Sequence, residues 1–432
     1  MTFINPIAPI YLKVVSVLSS SLSLAIAITL LLLPIPVVHA SNNLDSTNQK
    51  KLEFGDTINL TNNEKDSVYG QISTSNNSIY VVWQESMPGS DIRNYDILFK
   101  NSTDNGSSFS QEINLSNNSG FSEHPQISSA ADNVNVIWAD DTKGNKQVYF
   151  RASNDNGNTF GEAIKLSNDS SNSYNQDIAA FGNNVYAVWL ENEFFGPHRV
   201  MLAVSEDGGN SFRDPVTLSE NASTQSYPKI SALNGHVYVT WNIEGDLSNG
   251  NTGTNEGVYF VSSSDNGSIF GDVSKLNTED NGFGKPQVAA GSDNAVYVIW
   301  GGSSNNQVNS IYLAKSYDNG KSFGDIKKIE ETEQGKINNP LNVEIVVDEI
   351  NKLFIAWQDR IGTSATAEKE DILSIISLDG GESFESATNI SNNADTSECP
   401  SIAVNGDNIY ITWEDLTPGN HEVLYRQGLL SI

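Results

Sequence analysis

Disulfide bonding and positive charge are the two properties that this 432-residue sequence lacks most. Cys399 is its single cysteine, so no intramolecular disulfide can form and the fold must depend on its apolar core. The chain has 24 Lys+Arg against 53 Asp+Glu, a formal net charge of −29. A surface this acidic repels nucleic acid and anionic lipid, so we expect no nucleic-acid partner.

Long apolar runs are also absent, except at the N terminus. Val14–Val38 is interrupted only by Ser, Thr and Pro, follows Lys13 and precedes the small residue Ala40. This is the layout of a secretory signal peptide over residues 1–40, and the alternative is an uncleaved N-terminal anchor. We therefore expect a secreted or cell-surface protein with no further membrane segment. Residues 41–54 are polar and are predicted to form a flexible lead-in.

One turn sequence, Ser-x-Asp-(Asn/Gly)-Gly-x-x-Phe, occurs six times. Asp-Asn-Gly and Asp-Gly-Gly favour hairpin turns, because glycine accepts a positive φ and the carboxylate can accept backbone N–H bonds. The copies recur every 51 to 61 residues, which predicts a repeat architecture. The six aspartates of these turns are Asp104, Asp155, Asp207, Asp265, Asp318 and Asp379.

The seven tryptophans form a second repeat between these turns. Each ends a β-branched and aromatic run such as Ile79–Trp83, and continuous apolarity predicts a strand that is covered on both faces. Seven equivalent copies favour packing between repeated units over a cofactor platform. Within one repeat, Pro125–Asp169, the pattern predicts four short strands.

Seven units of four antiparallel strands predict an all-β fold, a seven-bladed β-propeller over residues 55–432. The end of the chain supplies only a third strand, Glu422–Gln427. The start supplies Asp56–Thr61, which matches the fourth strands of other repeats. We expect this N-terminal strand to complete the last blade and close the ring, which leaves no exposed edge.

The repeated turn resembles the Asp-box (BNR) repeat of the sialidase-like β-propellers, and the resemblance extends from Gly55 to the C terminus. It implies that the turn aspartates are structural and that the site lies on the opposite face. That face carries the strand 2–3 loops and the connections between blades. The loops predicted there are long and dissimilar, as expected where specificity is built: Gln84–Tyr95, Leu190–Arg199, Asn242–Gly257 and Gln358–Asp371.

Two sets of residues on that face are candidates for binding. The connections between blades place a varied set at the mouth of the central pore, predicted to be Tyr69, His124, Asn175, Tyr227, Lys285, Asn339 and Cys399. With the arginines of the long loops, the predicted ligand-binding residues are Arg93, His124, Arg199, Tyr227, Lys285 and Arg360.

An acid stands two residues after the tryptophan in five blades: Glu85, Asp140, Glu191, Asp359 and Asp415. A ring of carboxylates could bind Ca²⁺. The alternative is that each carboxylate caps its own strand by accepting nearby N–H bonds. No other cofactor is expected.

Catalysis would require residues that the resemblance does not supply. Sialidases hold the sugar carboxylate with three arginines, the first in Phe-Arg-Ile-Pro, and this motif is absent from the sequence. Sialidases also have six blades. We therefore expect a non-catalytic module that binds glycans or surface proteins, and the alternative is a glycoside hydrolase of the exo-α-sialidase type.

Overall fold

The computed structural model describes residues 51–87, 94–192, 198–219, 224–244, 256–277, 284–304, 307–329, 331–332, 335–337, 339–361 and 369–431. These residues form seven antiparallel blades arranged in a ring, and no helix occurs among them. The predicted all-β seven-bladed propeller is therefore confirmed. The predicted signal segment lies outside the described residues. Within the described part of the chain, no helix is long and apolar enough to span a membrane.

Blades 1 to 6 each contain four strands in sequence order. Blade 1 contains β3 (Ser67–Ser75), β4 (Ser78–Ser86), β5 (Tyr95–Ser102) and β6 (Ile113–Asn114). Blade 2 contains β7 (Ser122–Ala130), β8 (Asn133–Asp140), β9 (Gln147–Ser153) and β10 (Ile164–Lys165). Blade 3 contains β11 (Asn172–Phe181), β12 (Asn184–Asn192), β13 (His198–Ser205) and β14 (Val216–Ser219). Blade 4 contains β15 (Thr224–Leu233), β16 (His236–Glu244), β17 (Gly257–Ser263) and β18 (Ser274–Lys275). Blade 5 contains β19 (Pro286–Ala290), β20 (Val296–Ser304), β21 (Gln307–Ser316) and β22 (Lys327–Ile329). A small hairpin, β23 (Glu331–Thr332) and β24 (Gly335–Lys336), precedes blade 6, which is β25 (Leu341–Val347), β26 (Leu353–Ile361), β27 (Lys369–Ser377) and β28 (Thr388–Asn389).

Blade 7 closes the ring with the N-terminal end of the described chain. Its own strands are β29 (Ser397–Asn405), β30 (Asn408–Asp415) and β31 (Glu422–Ser431), and β2 (Ile58–Asn59) pairs with β31 as the sequence predicts. A further strand, β1 (Lys51–Phe54), pairs with the last residues of β31. The prediction of a flexible lead-in over residues 41–54 is therefore wrong for residues 51–54. The alternating Leu52 and Phe54 pack against the core between blades 6 and 7, which gives this segment a reason to be ordered.

The core is divided among the interfaces between neighbouring blades. Seven hydrophobic clusters occur among the described residues, and each contains one of the seven tryptophans. Each tryptophan is at most 2% exposed, as expected for strands that are covered on both faces. The first strand of every blade contacts the first strands of both neighbouring blades, so these strands line the centre of the ring.

The Ser-x-Asp turns are internally hydrogen-bonded. In blade 1, Ser102 Oγ donates to Asp104 Oδ1 (2.7 Å) and accepts from Gly106 N (2.9 Å). Asp104 also accepts from Ser108 N (2.9 Å) and Ser108 Oγ (2.6 Å). Hydrogen bonds from Ser108 and Ser102 lower the pKa of Asp104 to about 2. These hydrogen bonds of the carboxylate therefore all lie within its own turn.

These turns also connect neighbouring blades. A tyrosine hydroxyl from the second strand of the preceding blade bonds the Oδ1 of the asparagine that follows the turn aspartate. The pairs are Tyr80–Asn156, Tyr186–Asn266, Tyr238–Asn319 and Tyr410–Asn105. In blade 6 the turn has Gly380 at this position, and the equivalent Tyr297 hydroxyl is buried with no hydrogen-bond partner among the described residues. In blade 3 the turn has Gly208, and the residue equivalent to the tyrosines is the shorter Asn135.

Candidate functional site

Backbone bulges place side chains at the mouth of the central channel, on the face opposite the Ser-x-Asp turns. In six blades the first strand shifts register against the second at one residue, which has a positive φ between 46° and 54°. These residues are Tyr69, His124, Asn175, Tyr227, Asn342 and Cys399. Bulky residues rarely adopt this conformation, which costs of order 1–3 kcal/mol each and is concentrated at functional sites.

Hydrogen bonds from neighbouring blades hold several bulges in place. His124 N donates to Gln84 Oε1 (2.8 Å) and Tyr69 N donates to Glu414 Oε2 (3.1 Å). Cys399 N donates in the same way to Gln358 Oε1 (3.2 Å). Each acceptor directly follows the tryptophan of the preceding blade, so the buried strands fix the positions of the residues at the mouth.

The side chains at the mouth contact one another around the ring. The rings of Tyr69 and His124 meet edge to face with their centroids 4.5 Å apart. Lys285 of blade 5 places Nζ 4.3 Å from the centroid of the Tyr227 ring and 3.5 Å from Asn342 Oδ1. Asn342 Nδ2 is in turn 3.5 Å from Cys399 Sγ. The mouth is therefore a packed rim around a cavity of about 310 Å³.

A second layer lies two residues further along the first strands, where side chains point to the same side. Its members that line the cavity include Gln71, Gln126, Lys229, Gln287 and Glu344. Gln287 Nε2 donates to Glu344 Oε1 (2.7 Å), and Lys229 Nζ is 3.9 Å from Asp177 Oδ1. The floor of the cavity is therefore built from glutamine amides, the paired Lys229 and the carboxyl group of Glu344.

Burial governs the charges of this layer. Burial raises the pKa of Glu344 to about 7, and the negative charge of Asp177 adds to this, although Lys229 opposes it. Burial alone would lower the pKa of Lys229, but Asp177 and Glu344 raise it instead, so this lysine is protonated. Lys229 lies 3.9 Å from Asp177, and the positive charges of Lys229 and Lys285 both act to lower the pKa of Glu344. These two lysines therefore have acids close enough to compensate their charge.

The structure brings together some of the predicted ligand-binding residues and separates others. His124, Tyr227 and Lys285 all line the cavity at the mouth. Arg199 lies 3.3 Å from Glu191 and Arg360 lies 3.6 Å from Glu370, and neither arginine lines this cavity. Arg93 lies outside the described residues.

The predicted member of the mouth in blade 6 is wrong by three residues. The sequence predicts Asn339 at the mouth as part of the connection between blades 5 and 6. The bulge is instead at Asn342, and Asn339 N donates to Asp359 Oδ1 (2.7 Å). The second layer was not predicted from the sequence, although side chains two residues apart on each first strand lie on the same face of the sheet.

The carboxylates that follow the tryptophans have hydrogen-bond donors in their own blade or in the connection that leads into it. Asp140 Oδ2 accepts from Ser122 Oγ (2.7 Å) and Asn118 Nδ2 (2.6 Å). Asp415 Oδ2 accepts from Trp413 Nε1 (2.8 Å) and Ser397 Oγ (2.8 Å). Glu85 similarly accepts from Ser67, Asn63 and Lys65, and Asp359 accepts from Trp357. Among the described residues, no three His, Cys, Asp or Glu side chains are grouped to hold a metal ion. A Ca²⁺ role for this ring stays a prediction.

A pair of glutamates in blade 7 lies next to the mouth residue Cys399. Glu398 and Glu414 face each other across β29 and β30. Burial and the neighbouring charges of Glu414 and Glu370 raise the pKa of Glu398 to about 7. Burial also raises the pKa of Tyr69 to about 12, with Cys399 and Glu414 adding to the effect. Two facing glutamates, one of them with a raised pKa, are an arrangement that can serve as an acid/base couple.

The fold and this site together define a seven-bladed β-propeller with a polar central mouth. No protein-family model and no curated protein matches the chain. Solved structures do resemble it. One is a protein of unknown function from Dyadobacter fermentans, 13% identical, with a TM-score of 0.53, where the alignment covers 88% of this chain and 99% of that one. Another is the endosialidase of phage phi92, 10% identical, with a TM-score of 0.54, covering 88% of this chain and 69% of that one.

A Hadza microbial sialidase is 12% identical, with a TM-score of 0.49, and the alignment covers 84% of this chain and 66% of the sialidase. This chain thus spans about two thirds of the length of these two sialidase chains. At such identities the similarity shows the propeller fold alone.

Proposed function

We propose that this chain is an exported, non-catalytic propeller that binds a neutral glycan in the mouth of its central channel, at or outside the cell surface. Export is inferred from the apolar N-terminal segment. Binding at the mouth is inferred from the rim and the second layer described above.

The observation that carries the proposal is the chemistry of the cavity walls. Asn175, Gln71 and Gln126 offer amide donors and acceptors of the kind that hydroxyl groups need, and Tyr227 supplies an aromatic wall. Both lysines of the cavity lie near acids, Asp177 or Glu344, so a neutral ligand leaves no lysine without a counter-charge. The bulges at Tyr69, His124 and Cys399 are fixed by hydrogen bonds between blades, which reduces the entropy lost on binding.

The test compares two matched variants on a glycan array. Asn175→Gly removes a mouth amide while keeping a residue that accepts its φ of 52°. Asn234→Gly makes the same change at the same φ, in an exposed turn on the face of the Ser-x-Asp turns. We expect the wild type and Asn234→Gly to bind the same neutral glycans, and Asn175→Gly to bind them at least tenfold more weakly. Equal binding by all three proteins would contradict the assignment to the mouth.

One observation favours a second candidate, a sialidase-like glycoside hydrolase. Glu398 has its pKa raised to about 7 beside the buried Glu414, and a raised carboxyl pKa suits a general acid. Sialidases hold the sugar carboxylate with three arginines, and no arginine is among the described residues that line the cavity at the mouth. We therefore rank hydrolysis second.

Fluorogenic sialosides and neutral glycosides at pH 4 to 8 would separate the two candidates. The binding proposal predicts no turnover with either class of substrate. Turnover that is lost in Glu398→Gln, while the protein still melts at the wild-type temperature, would establish the hydrolase and refute the non-catalytic proposal.

A further inference from the structure

A second cavity adjoins the mouth between blades 2 and 3. Its volume is about 430 Å³, and it shares His124 and Asn175 with the cavity at the mouth. Beyond these shared residues it is lined by Lys146, Tyr174 and others from the two blades. We name it the radial groove, because it leads from the central mouth outward between two blades.

Fixed contacts between the two blades form the walls of the radial groove. Lys146 N donates to Asn172 Oδ1 (3.0 Å) and Ser173 N donates to Lys146 O (2.8 Å). The carboxylate of Glu123, a residue that is 6% exposed, contacts Lys146 Nζ and lies 3.8 Å from His124 Nδ1. Because these contacts join the strand 2–3 loop of blade 2 to the first strand of blade 3, the groove exists before any ligand binds.

The combined size of the two cavities indicates a ligand that is longer than a single sugar unit. The mouth alone, at about 310 Å³, is at the lower end of the roughly 300–1,000 Å³ that is usual for small-molecule sites. The radial groove adds a second space of at least that size, with hydrogen-bonding groups along its walls.

We propose that the radial groove is a second subsite, so that the ligand is a neutral oligosaccharide. One sugar unit occupies the mouth, and the next lies between blades 2 and 3 against Tyr174 and Lys146. This inference rests on the proposed function of the mouth. The described residues that line the groove include the charged side chains of Glu123, Asp141 and Lys146, as well as amides and a tyrosine. An oligosaccharide fits better than a peptide, because these groups can bond to hydroxyls and form no large aliphatic pocket of the kind in which a peptide anchor is usually buried.

The test is isothermal titration calorimetry of the whole propeller with one- to four-unit oligosaccharides of the chitin, cellulose and maltose series. We expect at least one series to gain tenfold or more in affinity from one unit to two. Tyr174→Ala and Lys146→Ala should each remove most of that gain and leave the affinity for the single unit unchanged.

Lys165→Ala is the matched control, since Lys165 also pairs with an acid, Asp169, but lies away from the groove. It should behave as the wild type. Equal affinity for one and two units in every series that binds, or a full gain retained in both groove variants, would overturn the second subsite and leave the mouth intact. Binding of none of these sugars, or of peptides only, would overturn the glycan proposal itself.

Discussion

Replacing Gly380 by asparagine should stabilise this propeller. In four blade pairs a tyrosine hydroxyl bonds the asparagine of the next Ser-x-Asp turn, at 2.9 Å for Tyr238 and Asn319. Tyr297 lacks this partner because blade 6 has Gly380. The φ of Gly380 is 70°, which asparagine tolerates, and an added Cβ would lie 3.4 Å from the Tyr297 hydroxyl.

The expected gain has two parts. A buried hydrogen bond contributes about 0.5–1.5 kcal/mol. Replacing glycine also restricts the unfolded chain, which is worth about 0.4–1 kcal/mol where the backbone suits the new residue. The left-handed conformation costs asparagine part of this, so we expect a net increase of about 1 kcal/mol in the free energy of unfolding.

Urea denaturation followed by tryptophan fluorescence would measure the change. Two controls isolate the hydrogen bond: Gly208→Asn, where the equivalent residue is the shorter Asn135, and Gly380→Asn combined with Tyr297→Phe. Both should lack the contribution of the hydrogen bond. If Gly380→Asn is no more stable than Gly208→Asn, the Tyr297 hydroxyl does not form the expected stabilising hydrogen bond between blades.

Three further predictions concern stability and pH. Deleting residues 1–54 should lower the melting temperature, because it removes a strand whose Leu52 and Phe54 pack on the core; an unchanged melting temperature would contradict the role of β1. The pKa of Asp318 is lowered to about 2, so its contribution to stability is present above pH 4 and is lost as the pH falls toward 2. Urea titrations should show this loss reduced in Asp318→Asn. The raised pKa of Glu344, about 7, has the opposite sign, so its contribution is present below about pH 4.5 and is lost as the pH rises through 7. Glu344→Gln should flatten the stability profile in that interval, and an unchanged profile would contradict the assigned pKa.

Most of the fold could be predicted because each blade repeats the same local chemistry. The Ser-x-Asp turns and the tryptophan strands indicated the blade, its four strands and the number of copies, and the Ile58–Asn59 strand closes the ring as expected. The strand Lys51–Phe54 was missed, since four residues in a polar segment give too short a pattern to separate from a loop.

The site was predicted less completely because it depends on register. A bulge shifts the alternation of inward and outward side chains, and in blade 6 the bulge is at Asn342 and not at the predicted Asn339. The second layer also depends on contacts between distant residues. Lys229 meets Asp177 of the preceding blade and is influenced by Glu344 of a blade further on, and a single sequence does not reveal such pairs.

The most direct test of the central claim is a crystal structure of the propeller with a bound neutral oligosaccharide. We expect one sugar unit inside the mouth, hydrogen-bonded to amides such as Asn175 or Gln126, with the next unit in the radial groove beside Tyr174. A sugar bound to the face of the Ser-x-Asp turns or to the outer edge of a blade, with the mouth occupied only by water, would contradict it.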